Sequence, residues 1–249
     1  MKKQERHQII LNEVHLHNRV LISDLMSSFN VSMDTVRRDI QELDKLKQLK
    51  KVHGGAVSNG FSIHSDHSRK IYENKFIIAK KGISLLNYGD VVLISGGSTN
   101  LEFAKLLPTK MNLTIFTPSL PMAVELLNSS SKFNEVHLIG GKLSRGSQLA
   151  TGGSAINLLS EITVDICILG TGYMDIDKGI TEQDWEIAQM KKAMVMSSKK
   201  LVSLTISKKL NTFNRFKVCD AIAVDTLVTE LDPNSPDLKK YREAGIRLL

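Results

Sequence analysis

The hydrophobic positions of this chain follow two different rhythms along its length. From residue 1 to about 57, apolar side chains recur every three to four residues, which is the spacing of amphipathic helices. From about Phe76 onward, short aliphatic runs such as VVLI, LTIFT, ICILG and AIAV alternate with helical stretches. Strands that alternate with helices predict an α/β domain whose mainly parallel sheet is covered on both faces.

The same change of rhythm predicts two domains and a connection between them. We expect a mostly helical first domain over residues 1–57 and an α/β domain over residues 76–249. Residues 58–75 include the polar stretch SNGFSIHSDHSRK, which has no periodicity. This segment is therefore predicted to be a linker.

Three helices are predicted within the first domain. The first covers residues 3–16, and the second begins near Ser23, which is its candidate cap. The third is the stretch MDTVRRDIQELDKL with Ser32 as its cap. The short turn NVS between the last two makes this pair a candidate helix-turn-helix.

The third helix has two contrasting faces. Val36, Ile40 and Leu43 recur at positions i, i+4 and i+7 and form an apolar face. Arg38 points almost directly away from that face, with Arg37 on its flank. Arginine donates two hydrogen bonds to guanine or pairs with phosphate, so this outer face suits the major groove of DNA. The alternative is a solvated helix with ordinary surface charges.

A basic segment follows this helix directly. Residues 47–57 place Lys50, Lys51 and His53 on a short strand, and Gly54-Gly55 allow a tight reversal. A basic β-hairpin behind a recognition helix contacts the phosphate backbone or the minor groove. The pattern therefore predicts a winged helix-turn-helix.

The stretch VLISDLMSSFNVSMDTVRRDIQELDKLKQLKKVHGGAV resembles the signature of the DeoR family of transcriptional regulators. The matching positions are Phe29, Val31, Ser32, Thr35, Val36, Arg37, Arg38, Asp39, Ile40, Leu43, Leu49, His53, Gly54, Gly55 and Ala56. One departure is Gln48, where the family usually has glycine. The candidate DNA-binding residues, from the resemblance and the basic hairpin together, are Ser32, Thr35, Arg37, Arg38, Lys50, Lys51, His53 and Gly54.

Polar, glycine-rich loops follow several predicted strands of the second domain. The strand VVLI leads into Ser95–Asn100 and a helix, an arrangement that offers backbone N–H groups and hydroxyls to an anion. The alternative is a merely structural turn. The loop matches neither the P-loop nor the dinucleotide-binding pattern, so no ATP, NAD or other cofactor is predicted.

Loops that follow parallel strands meet at one edge of the sheet, where ligands bind. The candidate effector-binding residues are Ser95, Gly96, Gly97, Ser98, Thr99, Asn100, Thr117, Ser119, Gly140, Gly141, Arg145, Gly170, Thr171, Lys191 and Lys209. Arg145, Lys191 and Lys209 are the candidate phosphate partners, although a solvated surface role is the alternative for each lysine.

The resemblance to the DeoR family extends over this second domain, which in the family is a sensor similar in fold to sugar-phosphate isomerases and deaminases. Matching positions are Gly97, Ser98, Thr99, Gly140, Gly141, Gly179, Thr181 and Lys209. Departures stand at Ser95, Pro118, Gly172, Tyr173 and Ile206. The resemblance implies a small phosphorylated metabolite, such as a sugar phosphate, as effector; the departures leave a different ligand or a degenerate site open.

Composition adds limits to these hypotheses. The formal net charge of +7 suits a nucleic-acid partner, and equally a solvated basic surface. Cys167 and Cys219 lie in apolar runs, which favours buried thiols in a reducing cytosol over a disulfide or a metal site. No signal peptide and no apolar stretch of the ~20 residues that span a membrane are present in the sequence. We expect a cytoplasmic protein without a membrane or metal partner.

The function these features favour is a repressor of a carbohydrate catabolic operon that binds double-stranded operator DNA as a homodimer or homotetramer. One alternative is an isomerase- or deaminase-like enzyme carrying a DNA-binding module. Its candidate carboxylates are Asp175, Asp177, Glu182, Asp184 and Glu186, and no histidine follows His137. A second alternative is a protein whose ligand pocket is lost. We predict no catalytic residues.

Overall fold

The computed structural model describes residues 1–17, 19–58, 66–129 and 134–249 of the chain. These divide into two compact units, Met1–Glu73 and Asn74–Leu249. The last ten residues of the predicted linker are helical, because they belong to the helix Asp66–Ile83 (α4). Residues 59–65 of that linker lie outside the described residues. Among the residues of α4 whose burial is described, from residue 70 onward, the first buried one is Ile71.

Unit 1 is a winged helix-turn-helix. Its elements are α1 (Lys3–His17), β1 (Arg19–Leu21), α2 (Ile22–Phe29), α3 (Met33–Lys45), β2 (Lys50–Val52) and β3 (Gly55–Val57). The strands form an antiparallel sheet in the order β1-β3-β2. The three predicted helices are confirmed, but Ser23 does not cap α2, because the residue before that helix is Leu21 and its side chain makes no cap bond.

The core of unit 1 explains the pattern of α3. Val36, Ile40 and Leu43 are at most 1% exposed and pack with buried side chains of the other two helices, including Ile10 and Phe29. Burying an aliphatic side chain of this size stabilises the fold by roughly 1.5–3 kcal/mol. The apolar face predicted for the third helix is therefore the face that holds the unit together.

Unit 2 is built on a seven-stranded sheet in which every pair is parallel. In spatial order the strands are β15 (Arg247–Leu248), β14 (Thr226–Val228), β12 (Leu201–Leu204), β9 (Ile166–Gly170), β4 (Val91–Ile94), β5 (Thr114–Thr117) and β6 (Glu135–Leu138). The central strands are buried along almost their whole length, as expected for a sheet covered on both faces.

Helices and two small sheets complete unit 2. The helices after α4 are α5 (Ser98–Lys105), α6 (Leu120–Ser129), α7 (Gly153–Ser160), α8 (Trp185–Met196) and α9 (Lys239–Glu243). A hairpin joins β7 (Lys142–Leu143) to β8 (Ala150–Thr151), and β10 (Tyr173–Asp175), β11 (Gly179–Glu182) and β13 (Phe216–Cys219) form an antiparallel sheet. Cys167 and Cys219 are free thiols. Within the described ranges, no helix combines the length and apolarity needed to cross a bilayer.

One predicted strand is wrong. The run AIAV forms a 3-10 turn at Ala221–Ala223, and the strand follows at Thr226–Val228. Ile222 is 73% exposed, so half of the apolar run faces solvent. Asp225 separates the two segments and accepts a hydrogen bond from the Leu201 N–H at 2.7 Å, which fixes the turn beside β12. Two apolar runs this close cannot be ranked by composition alone.

Candidate DNA-binding surface and effector site

The start of α3 is fixed by local hydrogen bonds. Asn30 ends α2 in the left-handed conformation at φ 52°. Ser32 then caps α3, with its Oγ accepting from the Thr35 N–H at 3.3 Å and lying 3.0 Å from the Thr35 hydroxyl. Two of the predicted DNA contacts are thus held together at the helix N-terminus, where residues of a recognition helix meet base edges.

The exposed face of α3 carries the two predicted arginines. Arg37 and Arg38 are both exposed. The only ion pair described for Arg37 within the resolved ranges joins its Nη1 to Asp34 Oδ1 at 3.8 Å, between two exposed side chains. A pair this long and solvated contributes little, so both guanidinium groups are available to a nucleic acid.

The hairpin β2–β3 is a wing held against α3. Lys50, Lys51, His53 and Gly54 are exposed on it, as predicted. The Lys51 N–H donates to Asp44 Oδ1 of α3 at 3.0 Å, which fixes the basic strand relative to the helix. A side chain at the next residue, Gly55, would place its Cβ 1.9 Å from the carbonyl oxygen of Val20. Only glycine allows β1 to pair so closely with the wing.

The turn between α3 and the wing has its left-handed residue one position before Gln48, where the family's glycine was expected. The sequence comparison places the family's usual glycine at Gln48, but the left-handed residue is Lys47, at φ 56°. A left-handed conformation costs a side-chain-bearing residue roughly 1 kcal/mol or more, whereas glycine adopts it freely. The position at which glycine would relieve strain is therefore Lys47.

Asp39 is a key residue of unit 1 to which the sequence assigned no role. Its side chain is buried and accepts from Arg6 at 2.7 Å (Nε) and 3.1 Å (Nη2), with His7 Nε2 at 3.2 Å. The hydrogen bond to Asp39 raises the pKa of Arg6 above its usual value. A charged residue on the buried side of α3 was the available signal; its partners lie more than thirty residues away.

In unit 2 the first loop is tied to the neighbouring strand end. Ser95 Oγ accepts from the Gly170 N–H at 2.6 Å, and Asn100 Nδ2 donates to the carbonyl oxygens of Ser95 and Ile168 at 3.0 and 3.1 Å. A Cβ on Gly170 would lie 2.3 Å from the carbonyl oxygen of Gly96. The polar groups of Ser95 and Asn100 therefore serve first to hold the ends of β4 and β9 together.

The helix α5 begins directly after this loop. Gly97 precedes it with φ 123° and supplies no side-chain cap. Ser98 is half-buried and Thr99 is buried. An uncapped helix start offers backbone N–H groups to an anion, so Gly97, Ser98 and Thr99 remain candidate effector residues.

The second loop packs onto the first, whereas the third lies beside a hairpin. Thr117 Oγ1 donates to the Ile94 carbonyl at 2.7 Å and accepts from the Ser119 N–H at 3.1 Å. A Cβ on Gly96 would lie 3.1 Å from Ser119 Oγ. Gly140 and Gly141 lie beside the hairpin of β7 and β8, because a Cβ on Gly141 would be 2.9 Å from the Thr151 carbonyl oxygen. Arg145 is exposed in the turn of that hairpin, and its role stays a prediction.

Lys191 and Lys209 both reach the end of β9, and their contacts there bear on whether they are solvated surface lysines. The Lys191 ammonium donates to the Gly170 carbonyl at 2.5 Å and pairs with the Glu182 carboxylate. Lys209 donates to the carbonyl of the next residue, Thr171, at 2.9 Å. Lys191 is 6% exposed, so the alternative of a solvated surface lysine is wrong for it. Burial, assisted by the charge of Lys191, lowers the pKa of Lys209 to about 8, against the opposing pull of Glu182.

Two groups of buried polar side chains in unit 2 were not predicted from the sequence. Thr171, Ser203 and Thr205 form a chain of buried hydroxyls, with oxygens 2.6 and 2.5 Å apart. Lys75 of α4 is 4% exposed, and burial first, then repulsion by Lys209, lowers its pKa to about 7. Lys75 was hidden because it lies within the predicted linker. We call the strand-end region that contains these loops, Lys191, Lys209 and Glu182 the candidate effector site.

A winged helix with an arginine-bearing recognition helix, joined to an α/β unit with lysines at its strand ends, defines a DNA-binding transcriptional regulator with a sensor domain. The chain belongs to the DeoR family. Residues 6–60 match the DeoR-like helix-turn-helix domain, and residues 70–231 match the DeoR C terminal sensor domain.

Individual relatives cover nearly the whole chain. The HTH-type transcriptional regulator GolR of Listeria innocua is 28% identical over 246 residues, which cover 97% of this chain and 96% of that protein. The glycerol-3-phosphate regulon repressor of Escherichia coli is 28% identical over 236 residues, 94% and 93% of the two chains. A solved D-ribose-5-phosphate isomerase is a distant structural neighbour, with TM-score 0.41, 18% identity and coverage of 56% and 54%.

Proposed function

We propose that this regulator represses a carbohydrate catabolic operon in the cytoplasm and is released from its operator by a small phosphorylated metabolite. The observation that carries the effector half is that the ammonium groups of Lys191 and Lys209 both lie at the end of β9, beside the uncapped start of α5. A desolvated ammonium group is unfavourable in a protein interior unless an anion or other acceptor compensates it. The name of the glycerol-3-phosphate regulon repressor supports the same chemical class.

On the DNA side, α3 would enter the major groove and the wing would contact the phosphates. Arg37 and Arg38 supply base or phosphate contacts, and Lys50 and Lys51 supply charge along the backbone. A single winged helix presents a small interface, so we propose that a homodimer or homotetramer reads paired half-sites.

The candidate effector site has a direct connection to α4. Ser207 lies two residues before Lys209, and its N–H donates to Glu230 Oε2 at 3.0 Å. Glu230 Oε1 in turn accepts from Asn74 Nδ2 of α4 at 3.0 Å. An anion that draws Lys209 away from Thr171 would disturb this network. Because α4 spans the division between the two units, it is our candidate for the element that links effector binding to DNA binding.

Three of the five carboxylates that an enzyme could use have other partners. Glu182 is paired with Lys191, and Asp184 caps α8 by accepting from the Ile187 N–H. Asp175 accepts from two backbone N–H groups of its own turn. A general base must be free to take a proton from substrate. These contacts favour the regulator over the isomerase-like alternative.

The test is a DNA-binding titration of the purified chain on the region upstream of its own gene, at several salt concentrations. We expect binding at least a thousandfold tighter than to random DNA of equal length, with a steep loss as salt rises. Equal affinity for both DNAs at every salt concentration contradicts the proposal.

A further inference from the structure

The strand β6 lies at one edge of the seven-stranded sheet, and its outer side is open. Its neighbour is β5, and no other strand among the described residues pairs with it. The N–H groups of Glu135 and Ile139 both donate to carbonyl oxygens on the β5 side. Hydrogen-bonding groups alternate between the two sides of a strand, so the N–H and C=O groups of Val136 and Leu138 point to the open side.

The two edges of this sheet differ in how well they are protected. Edge strands of natural proteins are commonly kept very short, or carry lysine, other charges or proline, so that no further strand adds to them. The strand β15, at the other edge, has two residues, and its Arg247 is exposed. The strand β6 has four residues and contains no lysine, arginine or proline. It is therefore the edge at which a strand from another molecule can be added.

The helix α6 adds an apolar stripe beside this edge. Leu120, Val124 and Leu127 recur at positions i, i+4 and i+7 and are 37%, 51% and 72% exposed. A right-handed crossover from β5 through α6 to β6 places α5 against one flank of α6. At about 100° per residue, the stripe lies on the other flank, which faces the open edge of β6. Exposed apolar surface of this kind marks an interaction site.

We propose that two copies of this chain associate by pairing their β6 strands antiparallel across a two-fold axis, so that one sheet runs through both copies. The inference rests on the proposed function for its homodimer and names the surface that forms it. A second copy is the occupant because it supplies both things that this edge lacks, namely a strand with free N–H and C=O groups and a matching apolar stripe.

The side chains of β6 select one register for this pairing. Glu135 and His137 are exposed on the same side of the strand, with Glu135 Oε2 3.7 Å from His137 Nε2. If Val136 lies on the axis, opposite Val136 of the other copy, each Glu135 lies opposite a His137. A register centred on His137 would instead place the two imidazoles face to face. Opposite charges across a strand pair stabilise it and like charges destabilise it, so the first register is favoured.

The spacing of the two α6 helices also suits this arrangement. The helix packs against both β5 and β6, so its axis lies about half a strand spacing inside β6. Two-fold pairing of β6 then separates the two α6 axes by two strand spacings, about 10 Å. Packed helices lie roughly 8–10 Å apart, so the two apolar stripes would cover each other.

Sedimentation equilibrium of the full-length chain without DNA measures the dimer dissociation constant. We expect Leu127→Asp to raise this constant about a hundredfold or more, because a two-fold axis makes each substitution act twice. Ile222→Asp is the matched control. Ile222 is 73% exposed in the 3-10 turn that precedes β14, so its substitution should leave the constant unchanged. Circular dichroism confirms that both variants are folded.

Two further experiments test the register. Hydrogen-bonded residues of an antiparallel pair have Cα atoms about 5.5 Å apart, a distance that a disulfide spans, so Val136→Cys should cross-link the two copies in oxidised glutathione. Arg247→Cys at the other edge, and the wild-type chain, should not. Glu135→Lys should weaken the dimer about tenfold, and the double variant Glu135→Lys/His137→Glu should restore it, because each lysine then faces a glutamate.

Three outcomes would overturn the inference. A wild-type chain that stays monomeric at micromolar concentration has no such interface. A dimer that Leu127→Asp and Ile222→Asp affect equally is formed by another surface, which leaves the homodimer of the proposed function standing. A Val136→Cys chain that dimerises without cross-linking contradicts the pairing of β6. Operator binding is measured separately, so a failure here and a failure of the proposed function are different results.

Discussion

Arg37 and Arg38 are exposed on α3, between the buried residues Val36 and Asp39. The account places both against DNA, so Arg37→Ala or Arg38→Ala should weaken operator binding by about 1–3 kcal/mol where the arginine contacts a base, and by less where it meets only phosphate. Titration of each variant on operator and random DNA checks this. Lys110→Ala is the control, and unchanged binding in both arginine variants would refute the placement of α3.

Lys47 adopts a left-handed backbone conformation that is unfavourable for a residue with a side chain. Lys47→Gly should raise the free energy of unfolding by about 0.5–1 kcal/mol, because glycine removes the left-handed strain but gains freedom in the unfolded chain. Lys47→Ala removes the same charge and keeps the strain, so it should not stabilise. Chemical denaturation of the three chains gives the answer, and equal stability of the two variants would show that strain is not the cause.

Single residues also show which features can be predicted from the sequence and which cannot. The spacing of Val36, Ile40 and Leu43 sufficed to place the core face of α3, because helical period is a local property. Asp39 and Lys75 could not be assigned in the same way, since their partners are distant in sequence and only the folded chain brings them together. The sequence can place a charged residue on a buried helix face, but it cannot identify the partner that compensates the charge.

Among the elements, α1 and α3 are fastened by the ion pair between Arg6 and Asp39. Asp39→Ala leaves Arg6 and His7 without their shared acceptor, and we expect the melting midpoint of unit 1 to fall by on the order of 5 °C or more. Asp34→Ala, at an exposed position of the same helix, should change it little. Circular dichroism of both variants tests the difference, and equal midpoints would mean that the pair does not stabilise the unit.

The apolar runs that form strands are also a local property of the sequence, so most strands of the parallel sheet could be predicted from them. Runs such as VVLI and ICILG became the central strands β4 and β9, buried as parallel strands are. The exception at AIAV arose because two apolar runs flank Asp225 and only one of them reaches the sheet. The small antiparallel sheet of β10, β11 and β13 was missed, since its strands are short and β13 lies far from the other two in sequence.

At the scale of the whole molecule, the account joins an operator-binding unit to a ligand-binding unit through linkage. An effector that releases the regulator must bind the DNA-free form more tightly, and DNA must weaken effector binding by the same factor. The contacts from Lys209 through Ser207 and Glu230 to Asn74 are the described route by which α4 would respond.

The most direct test of this central claim measures operator binding of the full-length chain with and without a panel of phosphorylated sugars and polyols, at one fixed salt concentration. We expect one member to weaken specific binding of the wild-type chain about tenfold or more. Lys209→Met, in which the site has lost a cation, should bind operator normally but no longer respond. Specific binding that no phosphorylated compound alters, in the wild-type chain as in the variant, would contradict this claim.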